Sequence, residues 1–261
     1  MKKILGKFPP RRPPKASKSS ARKHHMPRRL IFIIILVIIF FSLIALFGQN
    51  SKFPAPISEI QLETLVQESI HKTFNSDYYT FTNRSTLTVE DKERIFSVLE
   101  GEKALQNSHI SGSILGSAVN IYQLDKWFYQ KDPLDGSWHK TENISTESAA
   151  HLISELHPES NFCFLSINNL SNLGTEKIQG YKTIKIKFTP TLKDTWIDKY
   201  FDNITYTLWI NKKHQYIIRS KISAQSKENH GALLVIENSF DNFGKKIRLQ
   251  IPAEIAHKAT D

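Results

Sequence analysis

The sequence predicts an α+β fold that is mostly β: a strongly curved antiparallel sheet, an incomplete β-barrel closed by a few helices, preceded by one transmembrane helix. Three observations carry that expectation. Residues 30–47 (LIFIIILVIIFFSLIALF) hold no charge, and Ser42 is their one polar side chain. Beyond them, about ten short runs rich in aromatic and β-branched residues follow one another with turn residues between. Helical periodicity is confined to two stretches, near residues 58–74 and 146–156.

The chain has 261 residues and a formal net charge of +10. Residues 1–29 contain 11 of the 35 basic residues and no acidic one, which leaves 24 basic against 25 acidic residues in the rest. Nucleic-acid binding needs clustered Lys and Arg on the folded surface, so the charge distribution argues against it as the main role. The prolines and serines among those basic residues predict a disordered tail at 1–29.

A helix rises about 1.5 Å per residue, so roughly 18–20 apolar residues cross the hydrocarbon core. Residues 30–48 are therefore read as a transmembrane signal anchor. Phe47 stands where a signal-peptide cleavage site wants a small residue, and no Cys follows to form a lipobox. The positive-inside bias puts the tail in the cytoplasm, where it attracts anionic lipids. The expected localisation is single-pass in the plasma membrane, with the main domain extracytoplasmic. Pro54 and Pro56 mark residues 49–56 as a linker, and residues 57–261 form the outer domain.

Ser58 with Gln61 three residues on is a capping-box pattern, and apolar residues recur at helical spacing to Phe74. Residues 78–89 alternate as a strand. Residues 94–104 read as a second, with 91–99 also open to a helical turn. Residues 109–119 carry Gly112 and Gly116, which permit a bulge or a close approach. Short strands follow at 119–124 and 126–131. The run Asp132-Pro133-Leu134-Asp135-Gly136 is a turn by its chemistry, and Trp138 resumes a strand. A helix is expected over 146–156, and 162–173 reads as a connection of unassigned structure. Residues 181–189 (YKTIKIKFT) alternate most cleanly. A helical turn near 194–200 precedes four strands at 204–210, 216–224, 232–240 and 246–251.

The cues Gly112-Ser-Ile-Leu-Gly116, Val119-Asn-Ile-Tyr122, Trp127-Phe-Tyr129 and Gly136-Ser-Trp138 fall between the first helix and the strand starting at Gly180-Tyr181. With the Lys212-Lys213 hairpin, this order resembles the LolA/LppX-like superfamily of bacterial envelope proteins. The resemblance implies an incomplete barrel, closed by helices, around an apolar cavity that carries or senses lipids and lipoprotein acyl chains, or a regulatory periplasmic domain.

A hydrophobic ligand would be lined by alternating strand residues, for which Ile114, Ile121, Trp127, Tyr129, Ile186, Phe188, Tyr206, Leu208 and Ile218 are the candidates. For each of them, ordinary core packing is the competing explanation. Catalysis is not expected. No H-E-x-x-H, zinc-spaced Cys/His cluster, G-x-S-x-G or phosphate-binding glycine loop occurs, and the lone Cys163 sits in an apolar context. Asp132 and Asp135 are explained by their turn. No cofactor or metal is implied. Two functions stand: a membrane-anchored domain binding a lipid or acyl chain in its cavity, or an interaction or sensor module whose cavity is filled. The partners implied are the membrane, a lipid-like ligand or an envelope protein, and not nucleic acid.

Overall fold

The computed structural model describes residues 58–142, 156–192 and 195–258. The expected tail, membrane span and linker lie outside them, as does the helix predicted near 146–156 except for Leu156. Among the described residues no helix is long and apolar enough to cross a membrane. Ile57–Asp261 is one compact unit.

Helix α1 (Glu59–Phe74) opens with the predicted capping box. The Gln61 amide donates to Ser58 Oγ at 3.3 Å and the Ser58 amide to Gln61 Oε1 at 3.0 Å, which satisfies two of the amides a helix start leaves unpaired. Leu62, Val66, Thr73 and Phe74 form its buried face.

Eleven strands make one antiparallel sheet from two meanders. The first runs β1 (Tyr78–Val89), β2 (Lys92–Ala104), β3 (Asn107–Ile114), β4 (Ser117–Leu124), β5 (Trp127–Lys131) and β6 (Trp138–Glu142). The second runs β7 (Phe164–Ile178), β8 (Tyr181–Leu192), β9 (Phe201–Asn211), β10 (Ile217–Ser226) and β11 (Leu233–Asp241). Every strand pairs with its chain neighbour, and β1 pairs with β11 to join the meanders. The edges are β6 and β7, so the curved sheet does not close. Short helices α2 (Trp196–Tyr200) and α3 (Ala253–Lys258) complete the described elements, with one 3₁₀ turn at Pro158–Phe162.

Two segments differ from expectation. The unassigned connection at 162–173 is mostly β7, a 15-residue edge strand. Its side chains are largely exposed and it shifts register three times against β8, so no period-2 pattern survives in its sequence. Residues 246–251, expected as a strand, belong to no strand. They cross the outer face of the sheet, where Leu249 packs beside Tyr122, Tyr129 and Trp138. Apolar alternation here records burial by one face, not a ladder.

The main core lies on the inner face. Phe74 of α1 meets Tyr79, Phe162 and Phe240 at ring-centroid distances of 6.4, 4.9 and 5.7 Å. Ile186, Phe188, Tyr206, Leu208 and Ile222 are fully or almost fully buried in the same cluster. Where the meanders join, the core turns polar. Asn83 Nδ2 donates to Asn238 Oδ1 at 2.8 Å, Asn238 Nδ2 donates to Ser220 Oγ at 3.0 Å, and Ser97 Oγ donates to Asn83 Oδ1 at 3.1 Å. This ladder crosses β2, β1, β11 and β10, and its four side chains are buried.

Candidate functional site

The inner face is packed unevenly. Over the second meander the aromatic side chains fill the space. Phe188 and Tyr206 stack at 5.5 Å and 20°, Phe164 stands edge-on to both, and Tyr206 Oη donates to the Asn161 carbonyl at 2.6 Å. Burial holds the Tyr206 phenol well above its ordinary pKa, with Cys163 adding to the effect.

Over the first meander a cavity of about 550 Å³ remains. Ile110 on β3, Ile121 on β4 and Phe128 on β5 line it, with Ser108 and Gln123 beside them. The β2–β3 turn (Leu105, Gln106) and the strand ends flanking it (Lys103, Asn107) bound one end, and His157, Glu159, Ser160 and Cys163 bound another side. The register explains the lining. Ile110 pairs with Ile121 and Gln123 with Phe128, so these side chains share one face. Gly101, opposite both Phe81 and Ile110, carries no Cβ, and a Cβ there would come within 2.5 Å of the Phe81 ring. Gly112 has φ of 140° and is equally constrained, since a Cβ would approach the Val98 carbonyl to 2.1 Å.

The polar side of the cavity is electrostatically coupled. Lys103 Nζ donates to the Phe74 carbonyl at 2.5 Å, capping the end of α1. Burial, and then the nearby Lys103, lower the pKa of His157 to about 4. Burial raises that of Glu159, with Lys103 pulling the other way. His157 is therefore neutral at pH 7. An apolar wall with an amide, an ammonium and a carboxyl on one side fits an amphiphilic molecule better than a purely polar one.

The candidate residues divide among these regions. Ile121 lines the cavity. Ile186, Phe188, Tyr206 and Leu208 stand in the filled core, and Ile114 packs against it half-buried. Ile218 is buried next to the irregularity where β10 shifts register against β9, which seats Ile217 in the core opposite Ile210. Trp127 and Tyr129 face the other side of the sheet. The two-residue turn Asp125-Lys126 pairs Leu124 with Trp127 and Tyr122 with Tyr129, and these four share an outer cluster with Trp138, Leu249 and Ile255. Ile110 and Phe128 line the cavity without having been singled out. The Leu124–Trp127 pairing across a two-residue turn is the sequence signal that identifies Phe128.

The Asp132–Gly136 turn brings Ser137, His139 and Asp132 together at the surface. Ser137 Oγ lies 3.1 Å from His139 Nε2, and Asp132 Oδ2 lies 3.7 Å from the same nitrogen. A relay needs serine and carboxylate on opposite ring nitrogens, so this cluster cannot pass a proton from one to the other. Asp132 and Asp135 instead accept turn amides, from Leu134 at 2.7 Å and from Ser137 at 2.7 Å. Those bonds from Ser137 hold the Asp135 carboxyl below its ordinary pKa. Among the described residues no group of three His, Cys, Asp or Glu side chains could hold a metal ion.

No family model matches the chain, and no curated protein sequence does. Solved structures of similar shape include the lipoprotein LppX of Mycobacterium tuberculosis, 16% identical with a TM-score of 0.48, covering 74% of this chain and 100% of that one. LprF of Mycobacterium bovis is 14% identical with a TM-score of 0.47, covering 76% and 100%. A LolA superfamily protein of Nitrosomonas europaea is 11% identical with a TM-score of 0.33, covering 74% and 96%. Likeness at this level transfers neither a residue nor a ligand.

Proposed function

We propose that this chain is a membrane-anchored extracytoplasmic protein whose half-barrel binds a hydrophobic ligand, a lipid or acyl chain, without catalysing a reaction. The observation that carries the reading is the 550 Å³ cavity walled by Ile110, Ile121 and Phe128 and edged by Lys103, Gln123 and Glu159. That volume falls within the range of about 300–1,000 Å³ usual for small-molecule sites, and each methylene buried contributes ~0.8 kcal/mol. The anchor is supported by the uncharged run at 30–47 behind 11 basic residues.

A titration with a fluorescent acyl-chain probe tests the cavity. Saturable binding near one probe per chain is expected. Ile121→Trp, which fills the space, should weaken it at least about tenfold, the equivalent of roughly two methylenes of lost burial. Equal binding to both proteins would place the probe elsewhere and sink the assignment. The filled inner face of the second meander favours the alternative, an envelope interaction or sensor module, if no probe binds.

A further inference from the structure

The antiparallel register places the turns 105–106, 125–126, 179–180 and 212–216 at one end of the sheet, together with the segment that leaves β11. That end carries Lys103, Lys126, Lys182, Lys212, Lys213 and Lys245, against Asp77, Asp125, Glu142, Glu159 and Asp241. The opposite end has Glu90, Asp91, Asp132, Asp135 and Glu228 at its turns, against Lys92, Lys131 and Lys227. Although the outer domain is close to neutral overall, its charge is separated along the strands. Lys182, Lys212 and Lys213 are exposed around a second cleft of about 530 Å³, which also holds Tyr181 and His214. Among the described residues, the ion pairs use none of these three lysines.

The cavity reaches the surface at this same end, and a large apolar side chain stands beside its mouth. Leu105 is 54% exposed at the tip of the β2–β3 turn. Its backbone is left-handed, with φ of 60°, and its amide donates to the Asp77 carbonyl at 2.6 Å, so the tip is held in place. A fixed leucine next to an apolar opening, at the end of the sheet that also bears the exposed Lys182, Lys212 and Lys213, matches the layered chemistry of an anionic bilayer surface: phosphates outside and acyl chains beneath.

We infer that the lysine-bearing end of the half-barrel docks on an anionic lipid bilayer, with Leu105 inserted among the headgroups and the cavity mouth facing the lipids. This rests on the lipid-binding reading of the cavity and adds to it the route by which a ligand enters.

The test uses the full chain carrying Cys163→Ser and Leu105→Cys, labelled with a polarity-sensitive fluorophore. It is reconstituted in phosphatidylcholine vesicles with or without about 30% phosphatidylglycerol. Docking predicts a blue shift and quenching by bilayer nitroxides at position 105 in the anionic vesicles, weakened at about 0.5 M salt. The same label at Leu134→Cys, on the opposite end, should show neither effect. Replacing Lys182, Lys212 and Lys213 by Gln should lower the docked-to-free ratio on the order of a hundredfold. A label at Gln106→Cys repeats the measurement should Leu105→Cys disturb the turn. Equal signals at the two ends, or a signal indifferent to phosphatidylglycerol and to the lysines, would overturn the proposal. The acyl-chain probe titration separates the two readings: probe binding in the cavity without insertion removes the docking and leaves the cavity assignment standing, whereas insertion without probe binding supports docking and removes the assignment.

Discussion

His157 shows how one side chain connects the cavity to stability. Its pKa falls from 6.5 in the unfolded chain to about 4 in the folded one, because burial and Lys103 disfavour the imidazolium. Between those values the unfolded chain binds more protons, so stability falls as pH drops from 6.5 toward 4. Glu159 acts with the opposite sign. Its folded pKa is raised, so its contribution is lost as pH rises through 4.5 toward that higher value. Urea unfolding at pH 7 and pH 4.5 should show His157→Gln losing less stability on acidification than the parent, by about 1–2 kcal/mol after allowance for partial exposure. An identical pH response in both proteins would contradict the half-buried neutral imidazole. None of this was legible in the sequence, where His157 is one of several histidines outside a motif. Phe128 was legible in principle. The turn at Asp125-Lys126 fixes which face each β5 residue takes, yet aromatic character drew attention to Trp127 and Tyr129, which lie on the outer face.

At the scale of elements, the join between β1 and β11 decides the architecture, since every other pairing is between chain neighbours. It pairs Asn83 with Asn238, and a slip of one residue would turn the polar ladder outward and bury Thr82 and Arg84. Asn238→Ala should cost about 2–4 kcal/mol, because it strips a partner from both Asn83 and Ser220 in a buried site. Thermal unfolding monitored by circular dichroism would measure the loss, and a variant as stable as the parent would show that the ladder does not hold the join. Local pattern made α1, β1, β8 and the hairpin around 212 readable. The β1–β11 pairing brings together residues from 145 (Thr88 and Leu233) to 161 (Thr80 and Asp241) positions apart, and no periodicity within either strand specifies it. The edge strand β7 was hidden for a different reason: exposed on most of its length, it has no buried face to impose alternation. Residues 246–251 misled in the opposite direction, because Leu249 is covered by the outer cluster without joining the ladder.

For the molecule as a whole, one sheet supports two kinds of interior. The second meander and α1 close around Phe74, Phe162, Phe188, Tyr206 and Phe240, a core that supplies stability. The first meander buries Ile110, Ile121 and Phe128 themselves, and a cavity lies against them. Its outer face is covered by the C-terminal segment, where Tyr122 Oη donates to the Gln250 carbonyl at 2.8 Å and Ile255 is fully buried. Covering that outer face keeps Trp138 and Tyr129 from water. The half-barrel class was readable from strand number and order, but the unequal filling was not, since alternating apolar residues look alike whether they meet each other or a ligand. Native mass spectrometry of Ile57–Asp261 purified from membrane-containing cells, with organic extraction of whatever leaves it, addresses that difference. The account predicts one acyl-chain compound per chain, absent from Ile121→Trp. A bare mass in the parent protein, unchanged after incubation with membrane lipid extract, would contradict it.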